Sequence, residues 1–139
     1  MKNIEEYCKK NSLKLTPVRR KVLELLLEEK RGLGAYRILD LLREAGFKSQ
    51  PPVAYRALDF LVENGFAHKI GSQNSFVACT KPGEDHSPVF MICKKCDSVS
   101  EAPSSSSFPE LSDSLRDTGF EVEQTIIEAE GVCGSCASS

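Results

Sequence analysis

The chain has 139 residues, 40% of them apolar, and a formal net charge of −2, which suits one domain or two small ones with ordinary cores and excludes wholesale disorder. No apolar run approaches the roughly 18 residues of a membrane span, and Met1 to Lys10 is charged without the apolar core of a secretory signal. The expectation is a cytoplasmic protein with reduced cysteines, no membrane partner and no disulfide framework.

The charge is unevenly spread. Residues 1–80 carry 14 Lys/Arg against 9 Asp/Glu, a balance of +5, while residues 81–139 carry 4 against 11, a balance of −7. A basic module suited to nucleic acid, joined to an acidic module with another task, accounts for that asymmetry.

In chain order, Asn3 to Asn11 reads as a short helix with Ile4, Tyr7 and Cys8 at helical spacing, so Cys8 is expected to be a buried small hydrophobe. Thr16 before Pro17 is a helix start, a side-chain cap followed by proline at the first helical position, and Val18, Val22, Leu25 and Leu26 continue one face to about Lys30. Gly32 and Gly34 break that helix. A second runs from Ala35 to Ala45 with Ile38, Leu39, Leu41 and Leu42, stopping at Gly46. A third begins at Pro51 or Pro52. Its Ala54, Ala57, Leu58, Leu61 and Val62 follow the i, i+3, i+4, i+7, i+8 pattern, its opposite face carries Tyr55, Arg56 and Asp59, and Gly65 ends it.

Phe66–Ile70 and Ser75–Cys79 are short β-runs around the turn Gly71-Ser72-Gln73-Asn74. Helices followed by a small hairpin is the order of a winged helix. If Ile70 pairs with Ser75, His68 faces Val77 and shares a sheet face with Cys79. The stretch from Thr80 to His86, with Pro82 and Gly83, reads as a hinge. Beyond it, Val89–Ile92 and Ser98–Ala102 are expected strands, Ser104–Ser107 a connection, Pro109–Thr118 a helix, and Phe120–Ala129 a long strand. The expected organisation is α+β: a winged-helix domain at 1–80, a hinge at 81–86, and a small α/β domain at 87–139.

Two Cys-x-x-Cys pairs, Cys93/Cys96 and Cys133/Cys136, stand 36 residues apart. Such spacing lets both sulfurs of a pair point at one ion, and two pairs fill all four tetrahedral zinc positions, which makes a structural staple without an open coordination site. A redox dithiol would need only one pair. The remaining donors, His68, Cys79 and His86, cluster between Gly65 and the first pair, and Glu101 lies five residues past Cys96. Two imidazoles, a thiolate and a carboxylate form a second set suited to zinc rather than magnesium or calcium. Hydrolytic or deaminase use of zinc is disfavoured: neither histidine has a Glu two residues later and no proline precedes either pair.

The runs Leu15-Thr16-Pro17, Tyr55-Arg56-Ala57-Leu58, Phe90-Met91-Ile92-Cys93, Gly119-Phe120 and Gly131-Val132-Cys133 resemble, from end to end, the ferric uptake regulator family. Pro51-Pro52 through Phe60-Leu61 to His68-Lys69 looks most like its zinc-uptake branch. The iron and peroxide sensors of the family carry a His-His-Asp-His run where this chain has Glu84-Asp85-His86-Ser87.

The resemblance implies a non-enzymatic, homodimeric repressor that binds double-stranded operator DNA when loaded with two zinc ions per chain, and that takes no small-molecule substrate. Cys93, Cys96, Cys133 and Cys136 would hold the structural ion; His68, Cys79, His86 and Glu101 would hold the sensing ion. The expected DNA contacts are Arg56 and Tyr55 on the third helix, Tyr36 and Arg37 on the helix before it, and Lys14 and Arg19 near phosphates. The family helix usually opens Pro-Thr-Val-Tyr-Arg, whereas this one reads Pro52-Val53-Ala54-Tyr55-Arg56, without the hydroxyl. The competing readings are a family member sensing another divalent metal, and a zinc-stapled interaction module that binds no DNA.

Overall fold

A computed structural model describes residues 4–29, 31–79, 89–102, 109–122 and 125–138. The chain divides into two compact units, Met1–Glu84 and Asp85–Ser139. Hinge 81–86 and the serine run lie outside the described residues.

The first unit is built on four helices: α1 (Ile4–Lys10), α2 (Pro17–Glu28), α3 (Ala35–Glu44) and α4 (Pro51–Glu63). Thr16 caps α2, its side chain accepting from the Arg19 N–H at 3.2 Å. The helix ends two residues earlier than the sequence suggests. Helix α4 stops at Gly65, whose φ of +77° is costly for any residue with a Cβ. There the Phe66 N–H reaches back to the Leu61 carbonyl at 2.8 Å and turns the chain into the next strand.

Those helices bury one apolar face each. Val22 and Leu26 of α2, Ile38 and Leu42 of α3, and Ala54, Ala57, Leu58 and Leu61 of α4 close a common core that also takes in Cys8, Phe66 and Phe76. Each large aliphatic side chain so buried contributes on the order of 2 kcal/mol. The small Ala54 and Ala57 let α4 approach its neighbours closely.

Strands β1 (Ala67–Ile70) and β2 (Ser75–Ala78) form an antiparallel hairpin with Ile70 opposite Ser75 and His68 opposite Val77. One residue of the α2–α3 connection adds to it: Leu33 bridges Phe76 through bonds of 3.0 and 2.9 Å. Helices α2 to α4 followed by the hairpin make this unit a winged helix, with α1 packed in front.

The second unit is a three-stranded sheet in the order β4-β3-β5, from β3 (Val89–Cys93), β4 (Val99–Glu101) and β5 (Ile127–Gly131), with α5 (Pro109–Asp117) and a single turn, α6 (Gly134–Ala137). Strand β4 lies antiparallel to β3, while β5 lies parallel to it, Val89 opposite Ile127 and Cys93 opposite Gly131. The long strand expected over 120–129 is corrected here: pairing with β3 begins at Ile127, opposite Val89, and residues 120–122 and 125–126 lie outside the strand. Residues without a ladder partner have no backbone bonds to hold them extended.

Candidate metal centre and nucleic-acid interface

Parallel pairing brings the carboxyl ends of β3 and β5 to one edge of the sheet, and the candidate metal centre lies there. The Lys94 N–H extends the ladder to the Gly131 carbonyl at 2.8 Å. The chain then folds back sharply: the Asp97 N–H bonds the Cys93 carbonyl at 3.0 Å, with Asp97 in the left-handed region at φ +61°. Cys96 returns toward Cys93, its N–H 3.5 Å from the Cys93 sulfur. On the other side Cys133 caps α6, whose one turn carries Cys136 round to the same side.

All four sulfurs fall within 4.8 Å of one another, and Cys96 Sγ and Cys133 Sγ, one from each pair, stand 3.8 Å apart. A tetrahedron with zinc–sulfur bonds of about 2.3 Å has edges of about 3.8 Å. The spacing therefore suits an ion at the centre and is far beyond the ~2.05 Å of a disulfide; all six cysteines are free.

The thiols respond to one another and to the backbone. N–H groups of Cys133, Cys96 and Lys95 point at Cys93 and, against the opposing effect of burial, hold its thiol down at about 6. The Ser98 hydroxyl, whose oxygen is 3.1 Å from Cys96 Sγ, leads the causes that lower Cys96. Cys136 is pushed up to about 12, chiefly because its proton is shared with the sulfurs of Cys133 and Cys96. Four sulfurs crowded together without a cation resist ionising at once, and Cys136 keeps its proton. A dication would replace it, so the donor set fits zinc in both spacing and charge.

The second donor set divides between the units. His68 and Cys79 are both buried in the wing of the first unit, with the Cys79 N–H bonded to the Phe66 carbonyl at 2.9 Å and His68 Nε2 shut off from solvent. The register sets them on one face of the hairpin. Glu101, half-buried at the end of β4 and opposite Phe90, belongs to the second unit. His86 lies outside the described residues. Among the described residues, only the four-cysteine cluster converges as a complete ligand set.

The candidate nucleic-acid interface lies on the first unit. Tyr55 and Arg56 project from the exposed side of α4, the helix preceding the wing, while the first turn of α3 exposes Arg37 and, at 70%, Tyr36. Lys14 is exposed as well. Arg19 behaves differently: its guanidinium lies 3.9 Å over the Phe60 ring and bonds the Lys14 carbonyl, tying the α1–α2 loop to α4. Sequence reasoning missed Ser98 beside Cys96; serine is common on surfaces, and its position two residues past a ligand was the available signal.

The ferric uptake regulator family model matches residues 10–130. The zinc uptake regulation protein of Escherichia coli (strain K12) is 38% identical over 133 residues, covering 95% of this chain and 78% of that protein. Among solved structures, holo XcZur is 39% identical with a TM-score of 0.87 over 98% of this chain and 95% of its own. A zinc uptake regulator complexed with zinc and DNA is 38% identical with a TM-score of 0.89 over 96% of this chain and 90% of its own. The sulfur cluster, the winged helix and the end-to-end match agree: this chain belongs to the ferric uptake regulator family.

Proposed function

We propose that the protein is a cytoplasmic, zinc-responsive transcriptional repressor that binds operator DNA as a zinc-loaded homodimer and controls zinc-uptake genes. One observation carries the reading: the match to a regulator bound to zinc and DNA extends over 96% of this chain, through both the winged helix and the cysteine-bearing unit. Helix α4, just before the wing, presents Tyr55 and Arg56 for a groove. The second unit exposes Met91, Leu111, Phe120, Val122 and Ile126, apolar side chains that self-association would cover.

Two zinc ions per chain are proposed. Cys93, Cys96, Cys133 and Cys136 hold the first, which supplies cross-linking and charge neutralisation and leaves no position open for catalysis. His68 and Cys79 on the wing, with His86 and Glu101 past the division between units, form the sensing set. Ligands drawn from both units bind well only when the units adopt one arrangement. Moving that equilibrium from 1:99 to 99:1 takes about 5.5 kcal/mol of differential affinity. Two recognition helices of a dimer must meet grooves about 34–36 Å apart, so fixing the arrangement controls affinity without touching DNA.

The test is elemental analysis of the purified protein, coupled to a titration of DNA from zinc-uptake control regions against buffered free zinc. Two zinc ions per chain in the DNA-bound form, one retained after DNA release, is the expected result. DNA binding that is indifferent to zinc, or that follows another divalent metal instead, overturns the reading.

A further inference from the structure

Ser98 stands in an unusual relation to the cysteine cluster. Its carbonyl accepts from the Cys93 N–H at 3.0 Å, and the preceding residue, Asp97, bonds the Cys93 carbonyl, so the backbone of residues 93–98 closes on itself and presets where the Ser98 side chain begins. That half-buried side chain then meets a metal-ligand candidate: Ser98 Oγ is 3.1 Å from Cys96 Sγ. The N–H groups around Cys93 are fixed by the backbone. The hydroxyl at Cys96, in contrast, accepts from the Cys96 thiol here and belongs to a side chain, so it can be removed without altering the chain's path.

Four thiolates around a dication leave the centre with a net charge of −2, and the sulfurs keep lone pairs that seek donors. A hydroxyl suits the place because it can donate without bringing a charge of its own, whereas a carboxylate there would repel. Charge-assisted bonds to ligand atoms orient them and strengthen metal binding.

We propose that Ser98 is a positioning residue for the four-cysteine metal centre: its hydroxyl, which accepts from the protonated Cys96 thiol, donates to Cys96 Sγ once that sulfur is a metal-bound thiolate, fixes the direction in which it faces the ion, and slows loss of the ion to competing ligands. This rests on the zinc reading above. By drawing electron density from the sulfur, the same bond makes Cys96 a weaker nucleophile.

The full-length protein, its Ser98→Ala variant and its Ser98→Thr variant decide the matter in two assays. In the first, zinc-loaded protein is challenged with a chromophoric chelator; Ser98→Ala is expected to lose zinc from this site about tenfold more readily, and Ser98→Thr to match the wild type. In the second, cobalt(II) replaces zinc and the thiolate-to-cobalt charge-transfer absorption is recorded. Without the hydroxyl, the band should move to lower energy in Ser98→Ala only, a change that a purely turn-forming serine would not produce. A Ser98→Ala protein that fails to fold while Ser98→Thr is normal in both assays also supports the hydroxyl. Ser98→Ala equal to wild type in both, or Ser98→Thr as defective as Ser98→Ala, overturns the proposal. A wild-type protein that takes up cobalt with no thiolate charge-transfer band sinks the zinc reading itself, and this inference with it.

Discussion

Replacing Gly32 with alanine tests how the wing is held to the helices. A Cβ built at Gly32 would overlap Ser75 Oγ and lie 2.9 Å from Ser75 Cβ and 3.2 Å from Gln73 Oε1. Ser75 is buried at the start of β2 and bonded to Gln73 at 3.2 Å, so it has little room to yield. If Ser75 turns away, that hydrogen bond is lost. If the connection recedes instead, the two Leu33–Phe76 backbone bonds stretch. Each lost bond costs about 1 kcal/mol and the overpacking itself about 1–3, so Gly32→Ala should cost the first unit about 2 kcal/mol. For a unit of its size, Met1–Glu84, that lowers the melting temperature by roughly 8–16 °C.

Far-UV circular dichroism reports mainly on this unit, because α1 to α4 belong to it and the second unit's α5 and α6 are short. Gly34→Ala is the control. Its Cβ would find nothing closer than the Asn74 carbonyl at 3.9 Å, and the loss of a tolerated helix cap is offset by a stiffer unfolded chain, leaving it within about 0.5 kcal/mol of wild type. Adding Ser75→Ala to Gly32→Ala removes the worst overlap and should recover part of the loss. A Gly32→Ala protein as stable as wild type, or a Gly34→Ala protein equally damaged, would refute the packing argument.

Cys93→Ser and Cys136→Ser should each unfold the second unit and abolish dimers, since structural zinc contributes on the order of 10 kcal/mol to small sites; native-like dimers by sedimentation would contradict this. Zinc affinity at the four-cysteine site should rise with pH. The thiol of Cys136, pushed up to about 12, keeps its proton throughout pH 6.5–8 and adds a tenfold gain in affinity per pH unit, while Cys93, held at about 6, has largely finished contributing by pH 7; a flat chelator-competition profile would disprove it. Cys79→Ser should remain folded and dimeric, keep about one zinc per chain, and bind operator only at much higher zinc, because a hydroxyl replaces thiolate poorly. Wild-type zinc response in a reporter strain would remove Cys79 from the sensing set. Arg56→Ala should weaken operator binding in a gel-shift titration without changing zinc content, as Arg56 lies exposed on α4 away from the core; unchanged affinity at moderate salt would count against its groove contact.

Features dictated by neighbours in sequence were legible without coordinates. Thr16-Pro17 marks a helix start by cap chemistry, and the spacing of Ala54, Ala57, Leu58 and Leu61 leaves α4 only one face to bury. The four-residue turn fixes the hairpin register, and with it the opposition of His68 and Val77. Features dictated by partners far along the chain were not. Phe120, Val122 and Ile126 look like strand residues, but pairing with β3 starts only at Ile127. Gly134 and Ser135 are poor helix formers, so α6 gave no local signal; its Ala137 N–H bonds the Cys133 carbonyl at 2.8 Å. The stacking of Arg19 on Phe60, 41 residues away, likewise had no local signal.

The parallel β3–β5 register has a consequence for the denatured protein. Cross-linking the two cysteine pairs encloses the 36 residues between Cys96 and Cys133, and closing a loop of that size removes about 4 kcal/mol of chain entropy from the unfolded ensemble, as a disulfide would. An ion held by both pairs would thus do the work of a covalent bridge while leaving every thiol reduced. It would also shorten the search for a parallel pairing, which must otherwise wait for distant segments to meet by diffusion. Metal-loaded chains should therefore refold faster and, because their denatured state is more compact, show a shallower dependence of stability on denaturant than chains stripped of metal.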